Sequence, residues 1–190
     1  LAHEDAIKEF EDNGPQILNR MIGYNRDKAD GTRLALPTIS FTDKYVVNLG
    51  NLVIEALYLG PAHSPGDISV WIPSKKLVIA GDMAFHERLL PIFSHTKTKE
   101  WIATWDNEFE KLNPIYVIPG HGHPTNMDQV RKYTRNYLVY LREKIGTFIE
   151  NGGELKDAFY VDQTPFSHLQ TFKELATRNA GRVYEEMEFE

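Results

Sequence analysis

The chain has 190 residues, of which 42% are hydrophobic and 25% charged, a composition typical of a soluble globular protein with one large domain or two small ones. Its 21 basic and 27 acidic residues give a net charge of -6, and no run of Lys or Arg could follow a phosphate backbone, so a nucleic acid partner is not expected. The absence of cysteine excludes disulfides, thiolate metal sites and a cysteine nucleophile.

The ends of the chain and its hydropathy bear on processing and location. No apolar run approaches the roughly 20 residues that a membrane-spanning helix needs, and no signal peptide opens the chain. We therefore expect no membrane partner, and the compartment stays open between cytoplasm and periplasm. The chain begins at Leu1 rather than at a methionine, which indicates processing or a fragment of a longer protein.

The first third of the chain is predicted to be a short helix and a β-meander. Apolar residues recur with helical spacing between His3 and Asp12, and Asn13-Gly14-Pro15 is expected to stop that helix. Three β-rich runs separated by turn residues follow at residues 38–42, 45–49 and 52–59.

The rest of the chain alternates short apolar strands with longer helices. The strands are predicted at residues 68–72, 77–80 and 115–118. The helices are predicted at residues 98–112 with Thr98 as N-cap, at residues 127–150, and from a cap at Ser167 to about Val183. This order predicts an α/β fold in which helices cover a sheet. We expect a single domain over residues 1–190, with residues 151–190 as its helical extension.

Three residues of metal-ligand type each follow an apolar strand, where a sheet presents side chains to a cleft. His63 lies in a loop fixed by two glycines and two prolines, Asp82 follows Ala80-Gly81, and His121 has a glycine on either side. Each alone is more often a surface or capping residue. Their recurrence after three successive strands favours a shared metal site.

These motifs carry a family resemblance. The segments Gly60-x-x-His63-x-x-Gly66-Asp67, Ala80-Gly81-Asp82 and Pro119-Gly120-His121-Gly122, in this order, resemble the later metal motifs of the metallo-β-lactamase superfamily. The resemblance reaches to about Glu150 and implies part of an αββα sandwich whose N-terminal strands are missing. It also implies that His63 completes a first zinc site, Asp82 bridges both ions, and His121 completes a second.

One departure from the family pattern shapes the functional expectation. The family's His-x-His-x-Asp-His run, which supplies further ligands and the acid/base aspartate, does not occur in this chain and is expected upstream of Leu1. The implied activity is hydrolysis of an ester, thioester, lactone or amide in a small-molecule substrate by metal-bound hydroxide. We expect this chain to bind zinc weakly or not at all and to be inactive, with no catalytic residue of its own.

Two alternatives stay open. The chain could be a naturally shortened, non-catalytic relative that serves as a binding or assembly module, and the reading frame before Leu1 would separate that hypothesis from a fragment. Imidazole and carboxylate also suit iron, so iron is kept as an alternative to zinc. If the first strands are missing, exposed edges and apolar surface predict a homo-oligomer.

The other histidines are assigned smaller roles. His86 is a candidate for substrate binding at the pocket mouth, and His123 a candidate for a hydrogen bond that supports a metal ligand. His3 is interpreted as a surface residue, and His95 and His168 receive no function.

Overall fold

The computed structural model describes residues 1–190 and contains two sheets and six α-helices. The strands are β1 (Ala2–His3), β2 (Ser40–Phe41), β3 (Lys44–Leu49), β4 (Leu52–Tyr58), β5 (Ile68–Ile72), β6 (Leu77–Phe85) and β7 (Tyr116–His121). The helices are α1 (Glu4–Asn25), α2 (Thr98–Thr104), α3 (Met127–Tyr133), α4 (Arg135–Glu150), α5 (Leu155–Ala158) and α6 (Phe172–Met187).

The main sheet has five strands in the order β3-β4-β5-β6-β7. The first four strands are antiparallel to their neighbours, and β7 pairs parallel to β6 after a crossover that contains α2. The mixed α/β class is therefore confirmed, and so is the pairing of the last two runs of the predicted meander, residues 45–49 and 52–59, but its first run, residues 38–42, forms β2 outside this sheet. The short strands β1 and β2 form a separate parallel pair.

Helices cover one face of the main sheet and leave the other largely open. Val78, Ala80 and Val117 point to the covered face and are completely buried. They join a core of 26 buried residues that includes Trp101 and Trp105. Because side chains alternate along a strand, their neighbours point to the opposite face. There, Ile79 is 40% exposed.

The start of the chain differs from two expectations. Helix α1 does not stop at Asn13-Gly14-Pro15 but continues to Asn25, with Pro15 inside it. A proline removes one helical hydrogen bond, and here the unpaired carbonyl lies on an exposed stretch of helix where water can satisfy it. The interpretation of His3 as a surface residue is wrong. His3 is 5% exposed, caps α1 by accepting a hydrogen bond from Asp5 N, and stacks on Tyr58 at 3.6 Å.

Three helix boundaries also differ from prediction. Thr98 is the first residue of α2 and not its N-cap, which is Lys97. The Thr98 N and Oγ1 groups both donate to the Glu186 carboxylate of α6, which caps the helix. The predicted helix over residues 127–150 is divided at Thr134 into α3 and α4. Helix α6 begins at Phe172 rather than near Ser167. No helix combines the length and the apolar character needed to cross a membrane.

Candidate metal centre

The loop that carries His63 is held by hydrogen bonds at several points. The Asp67 carboxylate accepts from Ser64 N at 2.8 Å and from Ser64 Oγ at 2.6 Å. Thr96 Oγ1 donates to the carbonyl oxygen of His63 at 2.8 Å, and Thr104 Oγ1 donates to that of Pro61 at 2.7 Å. These contacts fix the backbone on both sides of the histidine.

The His63 ring lies among aromatic side chains, with its 12% exposed imidazole against Phe85, Phe93 and Trp101. Nδ1 is 3.8 Å from Asp82 Oδ2, whereas Nε2 is buried and has no hydrogen-bond partner. Burial lowers the pKa of His63, which opposes protonation. The ring is therefore kept in the neutral form that ligates metals.

Asp82 lies within β6 and not in a turn after it, because the strand continues to Phe85. The pairing of β6 with β7 is irregular on both sides of Gly81, which has a φ of 59°. This irregularity interrupts the regular pairing just before Asp82. The carboxylate side chain remains 34% exposed beside a cavity of about 430 Å³ that His3 and Ser64 also line.

His121 is the last residue of β7 and completes the group. Its Nε2 is 3.7 Å from Asp82 Oδ1, and its ring stacks on Phe85 with centroids 5.1 Å apart. On the other side of the ring, Arg88 Nη1 is 3.0 Å from Nδ1. The structure thus brings the three predicted ligands together, with one carboxylate oxygen facing each imidazole.

The donor set fits a divalent cation in kind but not in number. Two donors on one tetrahedral zinc ion, each at about 2.0–2.2 Å, lie roughly 3.3–3.6 Å apart. The His63–Asp82 and Asp82–His121 separations of 3.8 and 3.7 Å are close to that spacing. However, no group of three or more His, Asp or Glu side chains is arranged to hold a metal ion. Each pair would offer an ion two protein donors, one fewer than catalytic zinc usually has.

The two supporting histidines lie beside this group, on interlocked loops. His86 N donates to the carbonyl oxygen of His121 at 3.0 Å, and His86 Nδ1 is 3.0 Å from that of His123. The His123 side chain is 85% exposed and pairs with Glu87 at 2.6 Å rather than with His121. Neither imidazole lines the cavity beside Asp82.

Sequence reasoning missed two residues of the centre. Arg88 contacts His121 from a position 33 residues earlier in the chain, and no local pattern marks it. The sequence predicts a surface position for His3, and no local pattern links it to Tyr58, which lies on β4, outside the pair of β1 and β2. Both contacts join segments that are distant in sequence.

Comparisons with known proteins identify the family and the fold of this chain. The family model of the metallo-beta-lactamase superfamily matches residues 3–124. Over 99 residues the chain is 31% identical to a metallo-beta-lactamase type 2 from Bacteroides fragilis, covering 50% of this chain and 40% of that protein. Over 117 residues it is 23% identical to an acyl-coenzyme A thioesterase from Homo sapiens, covering 59% and 42%.

Solved structures show the same fold. The sec-alkylsulfatase Pisa1 from Pseudomonas sp. superimposes with a TM-score of 0.61 at 19% identity, covering 81% of this chain and 27% of that one. A double mutant of that enzyme gives a TM-score of 0.69 over 97% of this chain and 35% of its own. The chain spans less than half the length of the curated relatives named above. It belongs to the metallo-beta-lactamase superfamily, which includes hydrolases such as beta-lactamases and thioesterases.

Proposed function

We propose that His63, Asp82 and His121 are the part contributed by this chain to a dinuclear zinc site in a hydrolase. The observation that carries the proposal is the position of Asp82, whose two carboxylate oxygens face one imidazole each, at 3.8 and 3.7 Å. A carboxylate in this position can bridge two cations while each histidine binds one.

The surroundings of the three residues support this role. Phe85 contacts both imidazole rings, and Phe93 and Trp101 shield His63 from water. Exclusion of water around His63 strengthens electrostatic interactions at that end of the site, whereas the side chains of Asp82 and His121 are 34% and 39% exposed. Bound zinc would supply a water of lowered pKa and polarise the bond to be cleaved.

The donor count predicts that the chain alone binds zinc weakly and does not turn over substrate. Each ion would have two donors from this chain, and the His-x-His-x-Asp-His run of the family, with its acid/base aspartate, is absent from it. We propose that the complete protein acts on an ester, thioester, lactone or amide. Beta-lactamase and acyl-coenzyme A thioesterase activities among the relatives support that class.

Zinc titration of the chain against a chromophoric chelator tests the ligand assignment. We expect weak binding that is lost in Asp82→Asn and reduced in His121→Ala. The matched control is His168→Ala, because His168 is exposed and its ring packs against Tyr133, which is not a proposed ligand. Tight binding of two ions by the wild-type chain, or equal binding by Asp82→Asn, would contradict the proposal.

A second candidate function is a non-catalytic binding or assembly module. It is favoured by the donor count, because each pair of Asp82 with a histidine offers one ion only two protein donors. Under this alternative the folded chain binds no zinc, and the reading frame before Leu1 encodes no His-x-His-x-Asp-His run. Metal analysis of the purified protein would also show whether iron replaces zinc.

A further inference from the structure

The contact between Arg88 and His121 determines the hydrogen-bonding role of one ring nitrogen of the histidine. Arg88 Nη1 lies 3.0 Å from His121 Nδ1, on the side of the ring away from Asp82. A guanidinium group has N–H donors only and keeps its charge at any ordinary pH. The arginine must therefore donate, and Nδ1 must accept.

This direction fixes the tautomer of the neutral ring. When Nδ1 accepts a hydrogen bond, the single ring proton of neutral imidazole lies on Nε2. Nε2 is the atom that faces Asp82 Oδ1 at 3.7 Å, so its N–H points toward the carboxylate. A protonated ring nitrogen has no lone pair to offer a metal ion.

We propose that Arg88 is a positioning residue that withholds His121 Nε2 from a metal ion. The usual partner of a metal-bound histidine is an acceptor, which takes the other ring N–H and leaves the ligating nitrogen free. Arg88 is the reverse, because it donates a hydrogen bond to the non-ligating nitrogen, Nδ1. The inference rests on the proposed metal site, and it predicts that the ion shared by Asp82 and His121 binds less readily than the one beside His63.

Binding at Nε2 requires a balanced rearrangement. The Arg88–His121 hydrogen bond breaks, the Nε2 proton passes to solvent, and Nδ1 takes up a proton, so the ring stays neutral. The Arg88 side chain can make this change while its backbone stays in place, because the flanking groups bond to Gln170, with Leu89 N donating at 2.9 Å and Glu87 O accepting at 3.0 Å. Its Nε is buried without a partner, so rotation breaks no second hydrogen bond of the side chain.

The positive charge of Arg88 also weakens metal binding, as the tautomer of His121 does. Arg88 has no carboxylate within ion-pair distance, although it is half-buried, so its positive charge is not neutralised by a neighbour. An uncompensated cation beside a metal site repels a second cation more strongly there than it would in bulk water. Removing the side chain should relieve both effects together.

The test is zinc titration of wild type, Arg88→Ala and Arg88→Lys, with Arg178→Ala as the control because Arg178 is an exposed arginine distant in sequence from the site. Loss of one charge-assisted hydrogen bond corresponds to roughly tenfold to a hundredfold tighter binding in Arg88→Ala. Arg88→Lys, which is also a donor only, should stay near wild type. Thermal unfolding of each variant checks that it is folded.

Nitrogen-15 NMR of the histidine rings supplies a measurement on the wild-type chain itself. We expect His121 to carry its proton on Nε2 in the metal-free protein and to shift toward the Nδ1 tautomer in Arg88→Ala. A wild-type His121 with its proton on Nδ1, or Arg88→Ala binding zinc no better than Arg178→Ala, would overturn the inference. If Asp82→Asn also fails to reduce binding, the proposed site itself is wrong, so the two failures are distinguishable.

Discussion

Gly120 packs directly against Asp82, so closely that a β-carbon at position 120 would overlap the Asp82 Oδ1 atom and the backbone of Gly81. Backbone cannot move aside as a flexible side chain can. Gly120→Ala should therefore displace the carboxylate and weaken zinc binding by roughly tenfold or more, the size of effect that supporting contacts have on metal sites.

The matched control for that variant is Gly23→Ala. A β-carbon at Gly23 would meet nothing within 4 Å, and the residue lies inside α1, where alanine is favoured over glycine by about 0.5–1 kcal/mol. Equal zinc affinities in the two variants would show that the close approach to Asp82 has no part in metal binding.

Thr134 ties the break between α3 and α4 to the end of β6. Its Oγ1 accepts from Phe85 N at 2.8 Å and donates to Phe85 O at 3.2 Å, and both residues are completely buried. Thr134→Val keeps the shape but leaves both backbone groups unpaired, which should lower the free energy of unfolding by about 1–3 kcal/mol for each group. Chemical denaturation measures this, and Thr134→Ser, which keeps the hydroxyl, should lose less.

Strand and helix positions could be predicted where local pattern and tertiary packing agree. The strands from β3 to β7 and the aromatic stripe of Trp101, Trp105 and Phe109 follow alternation and helical spacing, and the same residues form the buried core. The predictions of helix boundaries were wrong where a residue distant in sequence determines the boundary. Thr98 is capped by Glu186, and Thr134 divides a helix because its hydroxyl serves Phe85, which no local pattern records.

In the candidate site, too, some residues could be predicted from local sequence and others could not. His63, Asp82 and His121 were recognisable because glycine and strand ends surround each of them in the sequence. The partners of these residues could not be recognised in the sequence, because Arg88 contacts His121 across two interlocked loops. The burial of His3 depends on Tyr58, which lies 55 residues later in the chain.

The Asp106–Arg135 ion pair predicts a dependence of stability on pH. Arg135 Nε and Nη2 donate to the two oxygens of Asp106 at 2.5 and 2.9 Å, and this hydrogen bonding holds the pKa of Asp106 below its ordinary value of 3.8. A lowered pKa in the folded state adds stability above that value, and the stability is lost as the pH falls through the folded-state pKa.

Asp106→Asn should therefore melt at a lower temperature than wild type at pH 7, and the difference should shrink at pH 3. Solvent screens the pair, because the Asp106 side chain is 38% exposed, so the difference should be small and should fall further in high salt. A difference in melting temperature that is unchanged between pH 7 and pH 3 would show that the pair contributes nothing.

The open face of the main sheet is apolar across all five strands. Its residues are identified by strand register, because each alternates with a side chain on the helix-covered face. Members that are more than a third exposed include Val47, Leu49, Ile79 and Tyr116. The outer edge of β3 is unpaired, whereas Val117 of β7 exchanges two backbone hydrogen bonds with Thr125. Only the end near Tyr58 and Tyr45 is covered, by His3 and Phe41.

We propose that two copies of this chain associate through that face, because each copy offers the same uncharged surface and burial of apolar area drives association. Sedimentation velocity should show a mass that rises with concentration. Tyr116→Lys and Ile79→Lys should shift the chain to monomer, since each places a charge in the buried contact. Tyr160→Lys is the matched control, because Tyr160 is 81% exposed and lies outside the sheet, and it should leave association unchanged. A wild-type chain that stays monomeric at every concentration would refute the proposal.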